Sequence, residues 1–242
     1  MPRPARQTII AASESISCRG LGVSGQETCW TLIDAAAAGS ESQRAEFVRL
    51  YQPVAASYFQ SRWASSPLRS DVDDAVQDLF IECFRQEGVL ERVAGERPEG
   101  FRKFFHGVLR NIALRRETRR QPEAVLLADQ PDEQTRCSQA FDRAWARLIL
   151  AEATRLHAEV AGREGPREVR RVELLRLRFQ EGMPIREIAA LWNEDPADVH
   201  HEYATARKEF SAALRQALAF QNPNATPEQL NATFREFVQL LS

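Results

Sequence analysis

The sequence predicts an all-α protein of two helical domains joined by a flexible linker. Three observations predict it. At 242 residues the chain exceeds the size that one hydrophobic core usually serves. Ala, Leu, Arg and Glu dominate, while the 11 Gly and 12 Pro gather at a few breaks. Apolar residues recur every three or four positions, and no stretch alternates as a half-buried strand would.

Residues 1–27 mix Ser, Gly, Arg and Gln without periodicity and read as a disordered leader. A first domain is expected over residues 28–120. Its first helix covers 30–38 and stops at Gly39; the next starts near Gln43, is kinked by Pro53 and resumes through Trp63. Ser70 opens an S-D-V-D helix start, followed by a stripe of Val72, Ala75, Val76, Leu79, Phe80, Cys83 and Phe84. Residues 87–100 read as a turn-rich loop. The helix after it carries Phe101, Phe104, Phe105, Val108, Leu109 and Ile112 on one face, and then Arg115, Arg116 and Arg119 stand where core residues would recur. Its last turns are therefore expected to project from the domain body.

Pro122 and Pro131 among polar residues mark residues 121–138 as the linker. The second domain, 139–220, begins with a long helix bearing Phe141, Trp145, Leu148 and Leu156 and stopping at Gly162. A helix ending at Glu181-Gly182, a short helix starting at Met183-Pro184-Ile185, a turn around residues 193–196 and a helix over 197–220 follow. Residues 221–242 form an amphipathic tail helix capped at Thr226, with Leu230, Phe234, Phe237, Val238 and Leu241 on its apolar side; it could cover the second domain or receive a regulator.

The four cysteines, Cys18, Cys29, Cys83 and Cys137, are far apart and lack CxxC spacing, which argues against a zinc motif or a secreted disulfide framework. Residues 9–12 are too short an apolar run for a secretory or spanning segment, so no membrane insertion and a cytoplasmic location are expected. His200 and His201, near Asp198 and Glu202, point about 100° apart on a helix and cannot easily share an ion. The carboxylate pair Asp73-Asp74 has no nucleophile or Gly-rich phosphate loop beside it. The chain reads as a non-enzyme without a cofactor or metal.

Three features carry functional signal. On the 71–86 helix, Asp74, Gln77, Asp78, Ile81 and Arg85 lie opposite the apolar stripe, so an exposed isoleucine stands among acids; this fits a docking surface or an ordinary solvated face. Residues 101–120 hold Arg102, Lys103, Arg110, Arg115, Arg116, Arg119 and Arg120 against Glu117 alone, a net of +6 in a chain of net charge -2. Such an excess can neutralise phosphates, and Gly107 between His106 and Arg110 would let a nucleic-acid backbone approach. The bland alternative is a solubilising helix end. Finally, residues 185–203 fit a helix-turn-helix or a structural hairpin: Ala189 at the crossing, Ile188, Trp192, Val199 and Tyr203 inside, and Asn193 able to take the left-handed turn conformation.

In this order and spacing, D-V-D-D-A-V-Q-D-L-F (71–80) resembles the polymerase-binding segment of extracytoplasmic-function sigma factors, and F-R-K-F-F-H-G-V-L-R-N-I-A-L-R-R-E-T-R-R (101–120) resembles their promoter-melting helix. Residues 28–39, 141–150 and the helix-turn-helix resemble the planctomycete branch of the family. The resemblance implies that Asp74, Gln77, Asp78, Ile81 and Arg85 bind core RNA polymerase through the clamp helices of its largest subunit. It implies that Arg102, Lys103, His106, Arg110, Asn111, Arg115, Arg116, Arg119 and Arg120 hold the -10 promoter DNA, with the 87–100 loop walling a pocket for a flipped base. It further implies that His200, His201, Thr205, Arg207 and Lys208 face the -35 element. Residues 197–210 carry Arg207 and Lys208 against Asp198, Glu202 and Glu209, a net of -1 where the family is basic, so upstream recognition is expected to be weak or unusual. An anti-sigma factor or other regulator is a further expected partner. The alternatives are a helix-turn-helix regulator acting without polymerase and a sigma-like interaction module without DNA function.

Overall fold

The computed structural model describes residues 28–96, 100–120 and 131–240, all helices and connections, with no strand among them. The expected leader, residues 121–130 of the expected linker and the last two residues lie outside the described residues.

Helix α1 (Cys29–Ala37) starts at a reciprocal cap, in which the Thr31 amide donates to Thr28 Oγ1 and the Thr28 amide to Thr31 Oγ1. It stops at Gly39, whose φ of +94° favours glycine. Helix α2 (Glu41–Arg62) buries Phe47, Leu50, Tyr51, Val54, Ala55, Tyr58 and Phe59 at three- and four-residue spacing. It continues through Pro53, which lies on the exposed side, where water can satisfy the carbonyl left without a donor.

The helix expected to open at Ser70 opens instead at Val72, because Pro67 nucleates a 3-10 turn over Pro67–Asp71 that Ser66 caps. Helix α3 (Val72–Phe84) buries the predicted stripe. The expected 87–100 loop contains helix α4 (Val89–Glu96), which buries Val89, Leu90 and Val93, a one-four spacing that fills one helix face against α1 and α3. Helix α5 (Phe101–Arg120) follows.

Helix α6 (Pro131–Glu164) starts within the expected linker: proline fits a first helical turn, and Cys137 is buried. It passes Gly162 and ends before Gly165, whose φ is +144°. Helices α7 (Pro166–Phe179), α8 (Ile185–Trp192), α9 (Pro196–Gln221) and α10 (Pro227–Leu240) complete the described chain.

The first core joins α1–α5 to the first half of α6, through Phe141, Trp145, Leu148 and Ile149, and to the end of α9, through Leu214, Ala217 and Leu218. Segments expected in two domains thus share one core. Its centre is aromatic: Tyr51 stacks on Trp145 at 5.7 Å and meets Phe101 at 5.0 Å and Phe105 at 5.3 Å. The Tyr51 hydroxyl donates to Gln221 Oε1 at 3.2 Å, tying α2 to the last turn of α9. The tail helix α10 lays Leu230, Phe234 and Phe237 on this same core, with the Arg215 guanidinium 3.9 Å from the Phe234 ring centre. A smaller core holds Leu174, Leu177, Ile185, Ile188, Ala189 and Val199.

Because Trp145 fills the shared core, Trp145→Ala is expected to lower the unfolding free energy by about 3–5 kcal/mol. Urea denaturation followed by circular dichroism checks this, with loss of helix from both halves in one transition.

Candidate docking face and nucleic-acid interface

Helix α3 exposes the side opposite its stripe. Asp74, Gln77, Asp78, Ile81 and Arg85 all face solvent, and Ile81 is 66% exposed. Ile81 borders an open groove of about 620 Å³ between α2 and α3, floored by Val48, Val76, Phe80 and Phe84 and edged by Gln77 and Arg85. An apolar floor beside carboxylates can take an amphipathic helix bearing basic residues.

On α5 the predicted basic residues divide into groups. Arg102, Lys103, Arg110, Asn111, Arg115, Arg119 and Arg120 are exposed, and a side chain added at Gly107 would meet open space. Arg102 pairs with Asp142 of α6 at 2.5 Å, Arg115 Nε donates to the Asn111 carbonyl at 3.4 Å, and Arg120 reaches Asp71 at 2.8 Å. Arg116 is largely covered and bonds Asp78. His106 departs from the expected DNA-facing position: its ring lies 4.8 Å from Phe141 and 5.4 Å from Tyr58, and its Nε2 is buried without a hydrogen-bond partner. Burial lowers its pKa below that of an ordinary histidine.

The last turns of α5 do not project. Glu117 is buried and accepts from Arg62 Nε at 2.8 Å, Arg62 Nη2 at 3.0 Å and Trp63 Nε1 at 2.9 Å. The Arg62 and Glu117 side chains are 1% and 5% exposed, so both charges leave water together. The signal was present in the spacing. Phe105, Leu109, Ala113 and Glu117 recur at four-residue intervals, and the one acid of the basic segment stands in the core register.

In the second core, α8 and α9 are joined by a short turn in which Asn193 takes the left-handed conformation at φ 55°, as its residue type predicts. Asp195 caps α9, accepting from the Ala197 amide at 2.7 Å, and Ala189 and Val199 are fully buried where the helices meet. The acidic residues that gave the 197–210 segment its negative balance turn mostly inward. Glu202 accepts from Arg167 Nε at 3.0 Å and pairs with Arg171 at 3.5 Å; Glu209 pairs with Arg171 at 2.6 Å. Arg171 also holds Glu168 at 2.9 Å. Glu194 pairs with Arg170, whose guanidinium lies 4.3 Å from the Trp192 ring centre. His200, His201, Arg207 and Lys208 remain exposed with Asp198, while Thr205 is half-buried, its hydroxyl donating to the His201 carbonyl at 3.2 Å.

Three cysteines, Cys29, Cys83 and Cys137, are buried thiols, and burial pushes Cys29 and Cys83 up to about 12. Among the described residues no cluster of three or more His, Cys, Asp or Glu could hold a metal, and no helix is long and apolar enough to cross a membrane. No protein-family model, curated protein or solved structure matches the chain.

Replacing Glu117 by Ala strands the buried Arg62 charge and is expected to cost about 3–5 kcal/mol of stability, measurable by urea denaturation. The Arg167 guanidinium beside Glu202 holds its carboxyl below the usual carboxylate range, against the opposing effect of partial burial. A carboxyl whose folded pKa is lowered stabilises the fold above its unfolded pKa, about 4.3, and that contribution is lost as pH falls through the folded value. Thermal melts from pH 6 to pH 3 should therefore fall less steeply for Glu202→Gln than for the wild type.

Proposed function

We propose that this chain is a sigma factor of the extracytoplasmic-function type, a non-enzymatic subunit that brings core RNA polymerase to promoters and helps open the DNA. The observation that carries the reading is the pairing of two chemically distinct faces on adjacent helices of one core. An acidic face with an exposed isoleucine and an apolar groove lies on α3, and a strongly basic face lies on α5. Their motifs stand in the order and spacing that the family resemblance requires.

In this reading Ile81 enters an apolar site on the polymerase while Asp74, Gln77 and Asp78 meet its basic side chains. Lys103, Arg110, Asn111 and Arg115 hold the phosphates and exposed bases of the -10 region, and Gly107 permits close approach of the backbone. Arg102 reaches DNA by exchanging Asp142 for a phosphate. The family's flipped-base pocket would be built beside α4 rather than on a loop. The second core presents α9 to the -35 element through His200, His201, Arg207 and Lys208. Phosphodiester chemistry stays with the polymerase, and the site of action is the cytoplasm.

A second reading, a regulator that binds duplex DNA without polymerase, is favoured by one observation. With Glu202 and Glu209 paired to α7, the outward side of α9 is less acidic than its sequence. Affinity for purified core polymerase separates the two. The sigma reading expects wild-type binding and a loss of at least about tenfold for Ile81→Asp, because a charge would be buried in an apolar contact. Tight duplex binding with no polymerase affinity would instead support the second reading.

A further inference from the structure

Two side chains that the family resemblance assigns to different faces hold each other. Asp78, on the docking face of α3, accepts a hydrogen bond from Arg116 of α5. Arg116 also stands 3.8 Å from Asp71, which Arg120 reaches at 2.8 Å. The Arg116 side chain is 18% exposed against 55% for Asp78, and the Arg116 Nε is buried without a hydrogen-bond partner. The guanidinium therefore lies in the seam between the helices, turned toward Asp78 of α3 and Asp71 of the 3-10 turn before it. A guanidinium so engaged can take a phosphate only by giving up a carboxylate, since both compete for the same planar donor edge. Asp74, one turn earlier on the same exposed face, is also a carboxylate and has no hydrogen bond or ion pair to Arg116 among the described residues.

We infer that the Asp78–Arg116 pair couples the docking face to the nucleic-acid face. A basic partner that takes Asp78 frees Arg116 for single-stranded DNA, and DNA that takes Arg116 frees Asp78 for the partner by the same factor. The coupling rests on the proposed reading of both faces. For one partly exposed pair the expected factor is about fivefold.

The test uses the full chain without polymerase and a fluorescently labelled single-stranded DNA of random sequence, titrated over a salt series. Asp78→Asn is expected to bind about fivefold more tightly than the wild type, with a salt slope steeper by about 0.7 for one added phosphate contact. Asp74→Asn removes an equal charge without releasing Arg116 and should change affinity little. In an Arg116→Gln background, Asp78→Asn should do no more than Asp74→Asn. Equal effects of the two Asn variants, or a gain that persists without Arg116, would overturn the coupling while leaving the basic-face reading intact. Absence of DNA binding by every variant would overturn both.

Discussion

The buried Glu117 carboxylate ties the basic end of α5 to the end of α2. Glu117 satisfies the Arg62 guanidinium through two hydrogen bonds and takes the Trp63 indole N–H as a third. An arrangement of this kind adds little net stability over an apolar core, but it tolerates no loss of either partner. It also fixes rotation. With Glu117 inward, Arg115 and Arg119 face solvent, and Arg116 falls in the seam beside α3. The separation of the acidic face of α3 from the basic face of α5 thus depends on the end of α2 as much as on α5.

Electrostatics organises the smaller core in the same way. Arg171 gathers Glu168, Glu202 and Glu209, so carboxylates that make α9 acidic by sequence are consumed within the protein. Charge counted along a helix and charge presented to a partner are different quantities. The difference matters here because nucleic-acid affinity follows the presented charge.

Much of this fold was legible from periodicity. The α3 stripe and its exposed opposite face, the Gly39 stop, the Asn193 turn and the Thr226 cap all follow from local rules that act within one or two turns. What escaped was tertiary. Pro131 looks like a linker residue in the sequence, although a proline begins a helix as readily as it ends one, and only the burial of Cys137 and Phe141 against the first core decides between them. Residues 87–100 look loop-like because Gly88, Gly95, Gly100 and Pro98 surround the short apolar set that α4 buries. His106 fell on the outward side of a helix considered alone; Phe141, thirty-five positions away, covers it. Partners for Arg62, Arg102 and Arg116 likewise lie far along the chain, beyond the reach of any spacing rule.

Under the proposed function, the chain gives core polymerase a promoter. Mapping transcript 5′ ends from purified core polymerase on fragmented genomic DNA, with and without the protein, tests it most directly. A sigma factor would give new discrete starts that share an upstream sequence element and vanish when the protein is omitted. Identical start sites in both reactions, with the added protein folded and active polymerase verified by elongation from a primed template, would contradict it.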